Sequence, residues 1–85
     1  MANIEIYTTA ICPYCVNAKR VLTNMGQEFK EIRVDKSPEQ WDIMLKRSNG
    51  ARTVPQIFIN DFHVGGFDDM MALKVEGKLE PLLAK

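Results

Sequence analysis

The chain has 85 residues, 46% of them hydrophobic and 26% charged, and its 11 Lys and Arg balance its 11 Asp and Glu. A chain this short holds one modest domain, burying about 60% of the surface its unfolded form exposes, and its zero net charge argues against nucleic acid or an anionic membrane as the main partner. No stretch approaches the roughly 18 apolar residues that span a bilayer. Residues 1–7 lack the basic and long apolar regions of a secretion signal, so a cytoplasmic protein is expected.

Ile4, Ile6 and Thr8 alternate with Glu5 and Tyr7 as in a short strand. Pro13 suits a first helical position, and Ala18, Val21, Leu22 and Met25 recur at helical spacing up to Gly26. Phe29, Ile32 and Val34 mark a second strand, with a register irregularity expected between Phe29 and Ile32. Ser37, Pro38 and Gln40 form the clearest helix start, a capping box with proline at the first position. Trp41, Met44 and Leu45 are the apolar stripe of that helix, and Gly50 ends it.

Val54, Ile57, Phe58 and Ile59 predict a third strand. Asn60-Asp61 is a short turn before a fourth strand, Phe62 to Val64. After Gly65-Gly66 a helix is expected to open at Asp68-Asp69, and Gly77 and Pro81 bracket a last apolar turn around Leu79, Leu82 and Leu83. The order β-α-β-α-β-β-α over residues 1–85 makes one α/β domain. Right-handed crossovers make the first two strands parallel and the last two a hairpin. The result is a four-stranded mixed sheet with helices on both faces.

Both cysteines lie in Cys12-Pro13-Tyr14-Cys15, directly after a strand and at the start of a helix. Residues three apart share a helix face, so the sulfurs can bond without much backbone change. Cys12 falls at the helix N-terminus, where free N–H groups and the macrodipole stabilise a thiolate; Cys15, one turn in, is expected to be shielded. Lowering a thiol pKa from about 8.5 towards 5 gains about 30-fold in thiolate at neutral pH. A Brønsted slope of about 0.4–0.5 cancels most of that gain in attack. The advantage is therefore that Cys12 leaves easily when another thiol attacks a mixed disulfide on it.

Three other readings of the pair remain. A structural disulfide closing so short a loop contributes about 2 kcal/mol and is reduced in the cytosol. A zinc site needs four ligands, and His63 is the one further soft ligand. Two unrelated buried thiols would not fall at a strand-to-helix junction. C-x-x-C in that context points to redox chemistry.

With these residues in place the chain resembles the glutaredoxins, on the thioredoxin fold, and most closely the short bacterial dithiol members. The resemblance runs from Ile4-Glu5-Ile6-Tyr7-Thr8 through the cysteine motif. It continues in Thr53-Val54-Pro55-Gln56-Ile57-Phe58-Ile59, in Gly65-Gly66-Phe67-Asp68-Asp69 and in Gly77-Lys78-Leu79.

The resemblance implies that Pro55 is cis and faces the cysteines, with Thr53 and Val54 presenting backbone groups to an extended peptide. Val54 then pairs with the cysteinyl part of glutathione, and Tyr14 walls the bound molecule. Gly66, Phe67, Asp68 and Asp69 are expected to take its γ-glutamyl end. Glycines admit a ligand to the backbone, helix amides attract a carboxylate, and an aspartate takes an ammonium. The competing reading is that Asp68 simply caps the helix. Trp41, Met44, Met70 and Met71 are expected in the core, and His63 in a strand without a catalytic role.

One departure stands out. Dithiol glutaredoxins commonly carry a lysine shortly before the first cysteine, and here the segment is Thr8-Thr9-Ala10-Ile11. Arg52, next to Thr53, is the expected replacement, with Arg47 as the alternative.

The implied activity is glutathione-dependent reduction of protein disulfides and glutathione mixed disulfides, with Cys12 attacking and Cys15 resolving. Glutathione is expected as co-substrate and disulfide-containing proteins as substrates, with no permanently bound cofactor, no metal, no nucleic acid or membrane partner, and a monomeric state. Two alternatives are recharging by thioredoxin reductase, which the Phe67-Asp68-Asp69 stretch opposes, and an iron–sulfur cluster shared between two subunits, which Pro13 and bulky Tyr14 oppose.

Overall fold

The computed structural model describes residues 2–84; Met1 and Lys85, the ends of the single expected domain, lie outside the described residues. In chain order the elements are β1 (Ile4–Thr8), α1 (Pro13–Asn24), β2 (Lys30–Arg33), α2 (Pro38–Arg47), β3 (Gln56–Ile59), β4 (Phe62–Gly65), α3 (Phe67–Val75) and α4 (Leu79–Leu83). The strands form one sheet in the order β2-β1-β3-β4. β1 runs parallel to β2 and antiparallel to β3, and β3 is antiparallel to β4.

Successive strand side chains point to opposite faces, and both faces of this sheet are covered. Ile4, Ile6, Ile57 and Ile59 face one side and join Ala18 and Leu22 of α1, Met70 of α3 and Leu79 and Leu83 of α4. Tyr7 and Phe58, out of phase with them, face the other side and meet Val34 and Met44, with Trp41 packed alongside. Met44 and Met70 are fully buried, and Met71 packs at the edge of the first cluster.

This double cover explains two departures from the sequence reading. Phe29 precedes β2, and β1 and β2 pair without a register shift. Phe29 packs on the α1 side and Ile32 on the α2 side, so an odd spacing between apolar residues needs no bulge when both faces are buried. The irregularity lies between β3 and β4 instead, where Ile57 faces Gly65 and Phe58 faces His63. Val54 stands outside the third strand, which begins only at Gln56 after a cis Val54–Pro55 bond.

The helix starts follow the signals in the chain. Ser37 Oγ accepts from the amide of Gln40 at 3.4 Å, with Pro38 next in line. Asn60 and Asp61 both adopt positive φ, 50° and 68°, the geometry of a tight two-residue hairpin turn. Two boundaries shift at the C-terminal end. α3 opens at Phe67 with Gly66 as its cap, one residue before the expected Asp68, and the last apolar turn is a helix, α4, with Pro81 inside it.

Candidate active site

Cys12 is the cap residue of α1: its backbone is extended, Pro13 takes the first helical position, and Cys12 Sγ accepts from the amide of Cys15 at 3.1 Å. The two sulfurs are joined as a disulfide across a Cα separation of 5.2 Å. Their access to solvent differs: Cys12 keeps 9% of its surface and Cys15 1%. An incoming disulfide therefore meets Cys12, and after reduction a thiolate there keeps an amide donor and the positive end of the helix.

The loop before Cys12 is anchored from the segment that follows β2. Asp35 accepts from the amide of Ala10 at 3.1 Å and is gripped by Arg33 through two bonds of 2.8 and 2.7 Å. Its carboxyl is lowered to about 2, first by the Arg33 guanidinium and further by the Ala10 amide. Beside it Thr8, fully buried, donates its hydroxyl to Glu31 at 2.7 Å, and Lys19 of α1 pairs with the same carboxylate. These bonds hold the Glu31 carboxyl below its usual range, Lys19 having the larger effect.

Next to the cysteines runs a groove of about 380 Å³, within the usual range of small-molecule sites. The cysteines are not in its wall; Cys12 meets it at Val54, whose carbonyl oxygen lies 3.7 Å from Cys12 Sγ. Thr53, Val54 and cis Pro55 form one side, and Gly66, Phe67, Asp68 and Asp69 the other. Tyr14 stands at the cysteine end, 59% exposed, its ring 6.1 Å from that of Phe67.

The two aspartates divide their work. Asp69 reaches back to accept from the amide of Gly66 at 3.0 Å and so caps α3. Asp68, which the sequence offered as the simple cap, makes no side-chain hydrogen bond or ion pair among the described residues and is exposed on the groove.

The two candidate cations also separate. Arg47 is the weaker: it donates to Tyr7 Oη at 2.8 Å, Glu5 at 3.0 Å and Asp61 at 3.2 Å, and lies 4.1 Å above the Phe58 ring. Burial would lower the pKa of this guanidinium, but its hydrogen bonds to Glu5 and Tyr7 overcome that and raise it. Arg52 is exposed between the wall residues Ala51 and Thr53 without being part of the wall itself. Gln56 and His63, neither read as site residues from the sequence, do line the groove. A polar residue directly after the Thr-Val-Pro segment, in an otherwise apolar strand, was the one signal for Gln56.

A family model described as Glutaredoxin matches residues 4–64. The chain belongs to the glutaredoxin family. It is 51% identical over 83 residues to Glutaredoxin 3 of Escherichia coli strain K12, covering 98% of this chain and 99% of that one. Among solved structures it resembles the glutaredoxin of Brucella melitensis, with a TM-score of 0.84 and 49% identity over 98% of this chain and 89% of that one. A buckwheat glutaredoxin–glutathione complex matches with a TM-score of 0.87 at 30% identity, covering 98% and 77% respectively. The sheet order and helix placement are thus those of the glutaredoxin branch of the thioredoxin fold, and thiol–disulfide oxidoreduction is the activity of this chain. No helix among the described residues is long and apolar enough to cross a membrane.

Proposed function

We propose that this glutaredoxin works by a dithiol mechanism, with Cys12 as attacking thiolate, Cys15 as resolving thiol and glutathione as both substrate fragment and reductant. The observation that carries the assignment is the asymmetry of the pair: Cys12 is the capped, accessible sulfur at the head of α1, and Cys15 is sealed beneath it. Glutathione, seen bound to the buckwheat relative, suits the groove. Backbone groups around Val54 fit its cysteinyl part, the first-turn amides of α3 fit its γ-glutamyl carboxylate, and the exposed Asp68 fits its ammonium.

The steps balance as thiol–disulfide exchange. The Cys12 thiolate attacks the glutathione sulfur of a mixed disulfide; one S–S bond forms as another breaks, and the substrate thiolate leaves with the electron pair and takes up a proton. A thiolate of reduced glutathione then attacks that same sulfur, releasing oxidised glutathione and restoring Cys12. With a protein disulfide, Cys12 attacks one substrate sulfur and Cys15, giving up its proton, displaces the substrate to close the Cys12–Cys15 bond. Two molecules of glutathione reopen it. Such cycling suits a reducing compartment such as the cytoplasm, and a monomer suffices because the groove and the cysteines belong to one chain.

The test is turnover of a mixed disulfide of glutathione with a small thiol. Cys12→Ser is expected to abolish it and Cys15→Ser to retain it while losing reduction of protein disulfides. Activity in Cys12→Ser would overturn the assignment.

A further inference from the structure

His63 sits on β4 in the groove wall, and its Nε2 lies 2.7 Å from Gln56 Oε1. The other end of the same amide, Gln56 Nε2, donates to the Thr53 carbonyl at 2.9 Å and to Thr53 Oγ1 at 3.3 Å. Gln56 is only 3% exposed, so its amide depends on these partners instead of water. The chemistry gives the chain a direction. A carbonyl oxygen has no proton, so the NH₂ end of Gln56 must face Thr53 and its oxygen must face His63. An amide oxygen only accepts, so His63 carries a proton on Nε2. The ring is also braced, stacked on the buried Phe58 at 4.8 Å between centroids and 24° between planes.

The last member of the chain is a ligand-facing residue. Thr53 Oγ1 accepts from Gln56, which leaves its own hydroxyl proton free to donate into the groove. Thr53 also leads directly into Val54 and cis Pro55, the segment against Cys12.

We propose that His63 and Gln56 are positioning residues for substrate binding: His63 fixes the Gln56 amide, which holds Thr53 so that its hydroxyl and the following backbone meet an acceptor oxygen of the bound peptide, a carboxylate or a peptide carbonyl. The proposal rests on the groove being the glutathione site. It separates binding from chemistry, because neither residue touches the cysteines.

The experiment is steady-state turnover of a mixed disulfide of glutathione with a small thiol, with KM and kcat measured separately. His63→Phe keeps the stack on Phe58 and removes the donor. Gln56→Leu removes the middle of the chain, and so tests the proposal even where His63→Phe fails to fold. Each is expected to raise KM about 3- to 10-fold, as for one lost hydrogen bond, with kcat within about two-fold. His63→Gln, which restores an N–H donor, is expected to return KM to within about two-fold of the wild type. The double variant is expected to be no worse than the poorer single one, because both break one chain.

Unchanged KM in His63→Phe and Gln56→Leu overturns the proposal, as does a fall confined to kcat or effects that multiply in the double variant. Asp68→Ala separates the two levels. If it raises KM while the His63 and Gln56 variants do not, only the positioning chain falls. If it too leaves KM unchanged, the groove assignment falls and the chain with it.

Discussion

At Gly65 the backbone takes φ = +110°, and a Cβ built there would collide with the Asp69 carboxylate, whose Cγ would lie 2.9 Å away. The neighbouring Gly66 has an ordinary φ of −85°, and a Cβ on it would meet nothing closer than the Pro55 carbonyl oxygen at 3.6 Å. The pair Gly65-Gly66 reads in the sequence as a place where a ligand approaches the backbone. In the folded chain Gly65 has a further duty, making room for the carboxylate that caps α3. Gly65→Ala is therefore expected to cost about 1–3 kcal/mol through backbone strain and loss of the Asp69–Gly66 bond, measured by urea unfolding. An unchanged unfolding midpoint would show that the cap is not needed. The same geometry explains why Asp68 and Asp69, indistinguishable in the sequence, differ in role: position three of the helix can reach back to the cap amide, and position two cannot.

The loop between β1 and α1 owes its shape to a residue beyond β2. Because Asp35 is charged, it holds the Ala10 amide two residues before Cys12, and its carboxyl is lowered from 3.8 to about 2. A depressed carboxylate contributes stability that is fully present above its unfolded value and is lost as pH falls through the folded one. The wild type is thus expected to exceed Asp35→Asn in stability at neutral pH, and the difference to vanish as pH drops from about 4 to about 2. Parallel acid titrations monitored by circular dichroism check this; a constant difference down to pH 2 would rule out the carboxylate as its source. The helices themselves were legible, since Ser37-Pro38 and Cys12-Pro13 place a side-chain acceptor and a proline where the first turn needs them. The Asp35–Ala10 bond was not, because it joins residues 25 positions apart.

Arg47 ties three parts of the molecule together, reaching from the end of α2 to Glu5 and Tyr7 on β1 and to Asp61 in the β3–β4 turn. Its removal leaves the mostly buried Glu5 carboxylate unpaired and uncovers Phe58. Arg47→Ala is expected to lose about 1–3 kcal/mol of stability with KM for a glutathione mixed disulfide unchanged. Arg52→Ala is expected to do the reverse, leaving unfolding unchanged within about 0.5 kcal/mol and raising KM, on the proposal that Arg52 stands in for the absent upstream lysine. Kinetics and urea unfolding on the two variants decide which arginine serves the ligand. Unchanged KM in Arg52→Ala would show that Arg52 does not serve the ligand.

The order of the strands and the first three helices, the sheet covered on both faces and the redox pair at a helix N-terminus could all be read from the chain, because periodicity, caps and C-x-x-C spacing are local and each residue's neighbours in sequence carry them. The accessible and the shielded cysteine were legible for the same reason. The engagement of Arg47, the division of labour between Asp68 and Asp69, and the entry of Gln56 and His63 into the groove depended on the folded molecule. Those contacts are set by how β3 pairs with β4 and how α2 lies on the sheet, and no local spacing encodes the register and packing of elements distant in the chain.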